Sequence, residues 1–117
     1  MQYSRVPFRD MLVKLAAHEI QRALPGWMDD FTKADKKARG TLRETLAAYA
    51  DADMNVLKTA EALGLHPNTI YARMQKIADV TDLNPLTFHA LNELLLATDC
   101  QKGSDPFLPR RGPPDGL

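Results

Sequence analysis

From Asn55 to Ile77 the chain reads NVLKTAEALGLHPNTIYARMQKI, and this stretch holds the side chains best suited to chemistry. Asn55 is a strong helix N-cap, because its side-chain oxygen accepts from an orphan N–H of the first turn. Val56, Ala60 and Leu63 fall at i, i+4 and i+7, one face of a short helix expected over 56–63. Ala60 is small, which lets a second helix backbone come close. Gly64 stands where a helix end calls for a left-handed residue, and glycine takes that conformation without a Cβ penalty. Leu65 is apolar and suited to plugging the gap between two helices, and Pro67 suits the first position of the next one. That second helix is expected over about 67–79, with Ile70, Met74 and Ile77 as its inner stripe. Two short helices joined by a glycine-containing turn form a helix-turn-helix.

With that stripe inward, a rotation of 100° per residue turns Asn68, Tyr71, Ala72, Gln75 and Lys76 outward and leaves Thr69 and Arg73 on the flanks. No acidic residue lies between His66 and Ile77. Amide and guanidinium groups read adenine and guanine edges, and the orphan amides of a helix start hold phosphate. The N-terminal end of such a helix is the part that meets base edges. The expected arrangement is therefore Asn68, Thr69, Tyr71, Ala72 and Gln75 toward the major groove, with Arg73 and Lys76 on phosphate or base. Arg73 lies close to the core flank and can snorkel to a phosphate. Its replacement by alanine is expected to weaken DNA binding and hardly move the melting temperature. His66 and the amides after Pro67 are candidates for a backbone phosphate, with capping of the turn as the alternative for His66. Lys58 and Thr59, on the first helix, are candidates for the adjacent backbone, with a solvated face as the alternative for Lys58. The rival for the whole pattern is a helical interaction module that has this shape and binds no DNA.

The elements that must position these groups are helical. No alternating run of strand length exists, so the chain is expected to be all-α: a small bundle of about five helices containing the helix-turn-helix. One segment runs over about 8–24 and stops at Pro25-Gly26. A second, over about 27–38, is so polar that only Trp27, Met28, Phe31 and Ala38 can anchor it, and it is expected to be short or irregular. A third starts at Thr41, expected as N-cap with Glu44 in the capping-box position, and buries Leu42, Thr45 or Leu46, and Tyr49. The last helix, expected over about 85–98, carries Leu94-Leu95-Leu96, more than one stripe can bury, so it is either central to the bundle or makes a homodimer contact there. Residues 1–40 are expected to be a helical linker or the remnant of a preceding domain, residues 41–100 the DNA-binding domain, and the proline- and glycine-rich 101–117 a disordered tail.

Composition narrows the function classes. Lys+Arg and Asp+Glu are both 15 in 117 residues, so only local clustering can argue for a nucleic-acid partner. The lone Cys100 excludes an intrachain disulfide and a cysteine-based zinc cage, and it suits a reducing, cytoplasmic setting. No apolar run approaches a membrane span. His18-Glu19-Ile20-Gln21-Arg22 misses the zinc-protease pattern because Arg22 stands where the second histidine must be. The Asp29-Asp30 and Asp51/Asp53 pairs sit in polar stretches where burial cannot tune them for acid–base work. No enzyme, cofactor or metal site is expected.

From Leu42 to about Leu96 the chain resembles the C-terminal DNA-binding domain of the PucR/CdaR class of bacterial transcriptional regulators. The residues that carry the resemblance are LRETLAAY, then Asn55-Val56, Thr59-Ala60, Leu63, His66, Asn68-Thr69, Arg73, Met74 and Ile77, then DVTDLNPLTFHALNEL. The motif is also similar to the helix-turn-helix of the Fis nucleoid protein. The resemblance implies a double-stranded DNA partner, action as a homodimer, and an effector sensed by a region absent from this chain. Three departures matter. Pro67 replaces a basic residue, Tyr71-Ala72 stands for Arg-Tyr, and Gln75-Lys76 stands for Arg-Arg. The helix is less cationic than the pattern, so a shallow salt dependence is expected. The closing Thr81-Asp82-Leu83-Asn84 stands where the pattern reads Thr-Gly-Leu-Asp.

Overall fold

The computed structural model describes residues 7–20 and 26–103. Among these the chain forms six helices: α1 (Pro7–Ile20), α2 (Trp27–Lys37), α3 (Thr41–Asp51), α4 (Val56–Leu63), α5 (Pro67–Thr81) and α6 (Phe88–Gly103). The all-α expectation holds, with one helix more than the sequence suggested. Residues 21–25 and 104–117, which include the end of the first expected segment and most of the expected tail, lie outside the described residues. The tail was expected from residue 101, but α6 continues to Gly103.

The extra helix is α2, whose polarity misleads. It places Met28, Phe31 and Asp35 on one inner stripe, and Phe31 is 0 % exposed. Asp29 and Asp30 in its first turn and Lys36 and Lys37 in its last complement the helix dipole. Asp35 is the surprise. Its Oδ1 accepts from the backbone N–H groups of Leu42 (3.0 Å) and Arg43 (3.1 Å), so a side chain from α2 satisfies the first turn of α3. The capping box expected at Thr41 and Glu44 is thereby corrected. Gly40, at φ +81, is the cap residue, and Thr41 lies inside the helix with its hydroxyl donating to the Ala38 carbonyl. The guanidinium of Arg43 lies 3.3 Å from Asp35 Oδ2, above the Phe31 ring, and donates to Gln101 of α6. Gln101 in turn donates to Thr32 (3.2 Å). One polar network thus ties α2, α3 and α6 at the edge of the core.

The core is shared by five helices. Met28 and Phe31 of α2 join Leu42, Leu46 and Tyr49 of α3, Ala60 of α4, Ile70, Met74 and Ile77 of α5, and Leu91, Leu94 and Leu95 of α6. α6 begins at Phe88, later than expected, because Asn84 holds a separate turn: its Oδ1 accepts from Leu86 N–H, and its carbonyl accepts from the Thr87 hydroxyl. Pro85 is fully buried in that turn. α6 packs on α3 through one side and on α1 through another. Leu94 and Leu95 are buried by this packing, at 0 % and 7 % exposure, as a helix central to the bundle requires, and Leu96 is half-buried. No described helix is long and apolar enough to cross a membrane.

Candidate nucleic-acid interface

The helix-turn-helix is built largely as its residues dictate. Asn55 caps α4, its Oδ1 accepting from Lys58 N–H at 2.9 Å. Gly64 ends α4 in the left-handed region at φ +68. Nothing lies near the position of an added Cβ, so conformation alone demands glycine there. Leu65 and Leu63 pack against the core from the turn. Pro67 opens α5, and Ile70, Met74 and Ile77 are buried to 1 % or less.

His66 is the N-cap of α5. Its Nδ1 accepts from Asn68 N–H at 3.0 Å. Thr69 N–H bonds the His66 carbonyl at 2.9 Å. The amides after Pro67, expected to be open to a phosphate, are thus already engaged. What the start of the helix leaves exposed is the His66 side chain.

Asn68, Tyr71, Ala72, Gln75 and Lys76 are all exposed, and Thr69 is half-buried on the flank. Asn68, Ala72 and Gln75 form the crest of the face, and no carboxylate interrupts it until Asp79. There Gln75 Nε2 donates to Asp79 Oδ1 at 2.9 Å. Tyr71 is 50 % exposed and lines a shallow cleft with Leu57, Val56, Met54 and Tyr49. Burial, and then the neighbouring Tyr71, push the Tyr49 hydroxyl above its ordinary range.

One of the expected contacts is corrected, and a second residue has partners within the fold. Thr59 is 0 % exposed, and its hydroxyl donates to the Asn55 carbonyl at 2.7 Å, so it is a core residue that no duplex can touch. Lys58, its neighbour, is exposed on the first turn of α4. Arg73 turns away from the outer face. Its Nη1 donates to Thr45 Oγ1 of α3 at 3.0 Å and lies 3.8 Å from Glu44 Oε1, with the side chain 21 % exposed. Arg73 locks α5 onto α3.

The structure also brings in residues that sequence reasoning left out. α2 lies along the flank of α5 that carries Lys76, and between them runs a cleft of about 570 Å3. Lys33 and Lys37 of α2 and Lys76 of α5 line it, against Asp30 and Asp79. The i, i+4 spacing of Lys33 and Lys37 was visible in the sequence. Its direction was not, because it depends on the Met28–Phe31–Asp35 stripe facing the core. Among the described residues no cluster of His, Cys, Asp and Glu could hold a metal ion.

One family's sequence model, described as the PucR C-terminal helix-turn-helix domain, matches residues 42–100. Neither a curated protein nor a solved structure matches the chain.

Proposed function

The chain belongs to the PucR C-terminal helix-turn-helix family, and from that premise we propose that it is the sequence-specific DNA-binding part of a bacterial transcriptional regulator. It works in the cytoplasm as a homodimer and reads duplex DNA with α5 in the major groove, while the effector is sensed by a region outside this chain. The observation that carries the reading is the crest of α5, where Asn68, Ala72 and Gln75 stand exposed with Tyr71 and Lys76 beside them and no carboxylate for the first three turns. Asn68 and Gln75 supply the amide chemistry that discriminates base edges. Tyr71 and Ala72 supply apolar contact to thymine methyl groups. His66, Thr69 and Lys58 meet one phosphate wall of the groove. Lys76, Lys33 and Lys37 meet the other. Phosphate contacts fix register and the crest fixes sequence. Arg73 contributes by positioning.

The test is fluorescence anisotropy of the full chain on a duplex pool at low salt, followed by selection of bound sequences. Binding is expected with a slope of log K against log salt of about −4, from roughly four to five neutralised phosphates at about −0.9 each. Asn68→Ala and Gln75→Ala should flatten the selected preference, whereas Lys33→Ala with Lys37→Ala should reduce the slope by about 2 and leave the preference intact. Absence of binding at low salt and high chain concentration would favour the non-DNA interaction module.

A further inference from the structure

Among the described residues, α4 and α5 expose two large apolar side chains, Leu57 at 69 % and Tyr71 at 50 %, and both line one shallow cleft. Buried Tyr49 lines it too, its hydroxyl donating to the Leu86 carbonyl at 3.4 Å. Asn55, also in the lining, is engaged in capping Lys58 N–H. No charged side chain lines this cleft. On the opposite flank of α5, the cleft against α2 is lined by Lys33, Lys37 and Lys76 with Asp30 and Asp79. The two flanks of one helix thus differ in kind. The α2 side suits phosphate, and the α4 side suits an uncharged, apolar part of a duplex.

We infer that Leu57 and Tyr71 form a notch that seats the 5-methyl group of one thymine, which makes Leu57, on the first helix of the motif, a specificity-determining residue. The inference rests on the DNA-binding reading and deepens it. Position supports it. At about 100° per residue, Tyr71 stands about 40° round α5 from Gln75 and about 60° from Asn68, at the α4 edge of the crest. Leu57 adjoins Lys58, which is exposed on the first turn of α4 beside the phosphate wall. A notch between a base-reading crest and a phosphate-seeking lysine faces the edge of the groove. A thymine carries its methyl there, because the C5 edge of a pyrimidine is the part of the base nearest its own backbone. Of the four bases, thymine alone puts an apolar group in the major groove. Deoxyribose is the other uncharged part of the groove edge, and it carries no sequence information. A notch resting on sugar would be indifferent to the methyl.

The test takes duplexes recovered by selection with the full chain and replaces their thymines by uracil one at a time. Uracil lacks the methyl and keeps every hydrogen-bonding edge. Anisotropy should reveal a position at which the change weakens binding by about fourfold, the worth of one methyl group taken out of water. Leu57→Ala should cut that ratio to below about twofold and leave the response at other thymines intact. Leu57 is exposed, so the variant should melt within about 4 °C of wild type. A merely structural part for Leu57 would weaken the thymine and uracil forms together and leave the ratio unchanged. Indifference of the wild type to every uracil, the result for a notch on deoxyribose, would overturn the inference. So would a ratio that Leu57→Ala does not alter. In both cases binding itself would still uphold the DNA reading. Failure to bind any duplex at low salt would sink the DNA reading and the notch with it.

Discussion

Arginine in a recognition helix invites a DNA role, and Arg73→Ala is the substitution that separates that role from the one the geometry supports. The guanidinium makes a charge-assisted hydrogen bond to the buried Thr45 hydroxyl, and the side chain is 21 % exposed. A hydrogen bond with one charged partner contributes about 1.5–3 kcal/mol. The approach to Glu44 adds nothing countable, because that carboxylate is 57 % exposed and an open pair of this kind is screened. Loss of the packed aliphatic stem adds about another 0.5–1 kcal/mol. Thr45 keeps its own donation to the Thr41 carbonyl, so its hydroxyl is not orphaned. The sum is about 2–4 kcal/mol, which at about 4–8 °C per kcal/mol for a domain of this size lowers the melting temperature by roughly 10–30 °C. Arg73→Lys should recover part of this, since it returns the charge and the stem without the planar fork. Unfolding followed by circular dichroism and by Trp27 fluorescence reads the stability. Anisotropy well below the transition reads binding, where the affinity should stay within about threefold of wild type, under 1 kcal/mol. A melting temperature near wild type together with a tenfold or greater loss of affinity would refute the assignment and put Arg73 on the duplex.

Three further outcomes follow from single positions. Asp82 ends α5 at φ +63, where the family pattern has glycine, so Asp82→Gly should stabilise the fold by about 0.5–1 kcal/mol, read as a higher denaturant midpoint with an unchanged slope. Asp79→Asn keeps an acceptor for Gln75 and removes the carboxylate that closes the crest of α5; anisotropy should show binding tightened by about fivefold, the worth of about 1 kcal/mol of relieved phosphate repulsion. Burial first, then Asp99, raises the Cys100 thiol above its ordinary value of 9.0, with Arg9 opposing. The unfolded chain therefore loses that proton first, so this contribution to stability is complete below pH 9.0 and is lost as pH rises through the thiol range, as urea titrations across alkaline pH should show. A disulfide reagent should correspondingly react slowly with the folded chain and fast in denaturant.

Local codes explain what was legible in the sequence. The Asn55 cap, the left-handed Gly64, Pro67 at a helix start and the Ile70–Met74–Ile77 stripe each act within a turn or two, and each stands where its residue type requires. The exposed crest follows from that stripe by rotation alone. The errors arose where a residue's partner is distant in sequence. Thr41 looks like a cap until Asp35, reaching across from α2, takes the amides it would have served. Thr59 looks polar and outward until its back-bond to Asn55 turns it in, and the bond that ties the flanking Arg73 to Thr45 comes from α3, far off in sequence. The leucine run exceeds one stripe, and periodicity alone does not show that α1 and α3 both pack on α6. Exposure of Phe8, Met11, Leu12 and Leu15 likewise depends on which face of α1 meets α6, and periodicity cannot choose between two adjacent apolar faces.

The same distant partnerships set the extent of the folding unit. The family match begins at residue 42, after α2, yet α2 is no appendage. Phe31 and Met28 are 0 % and 2 % exposed in the core shared with Leu42, Leu46 and Ile77. Burying two such side chains stabilises by about 3–6 kcal/mol. The Asp35 cap adds about 1 kcal/mol. Against a whole-domain stability of about 5–15 kcal/mol, that share is large enough to cost the remainder its cooperative fold. A chain starting at residue 41 should therefore lack a cooperative thermal transition and bind the dye ANS, while one starting at Gly26 should melt cooperatively. Asp35→Ala in the full chain should fall between them, since it unsatisfies two amides and strands Arg43 but keeps the Phe31 anchor. A cooperative, dye-free melt from the chain starting at residue 41 would show that α2 merely rests on a self-sufficient core, and Lys33 and Lys37 would then lose the rigid seat that aims them at a phosphate.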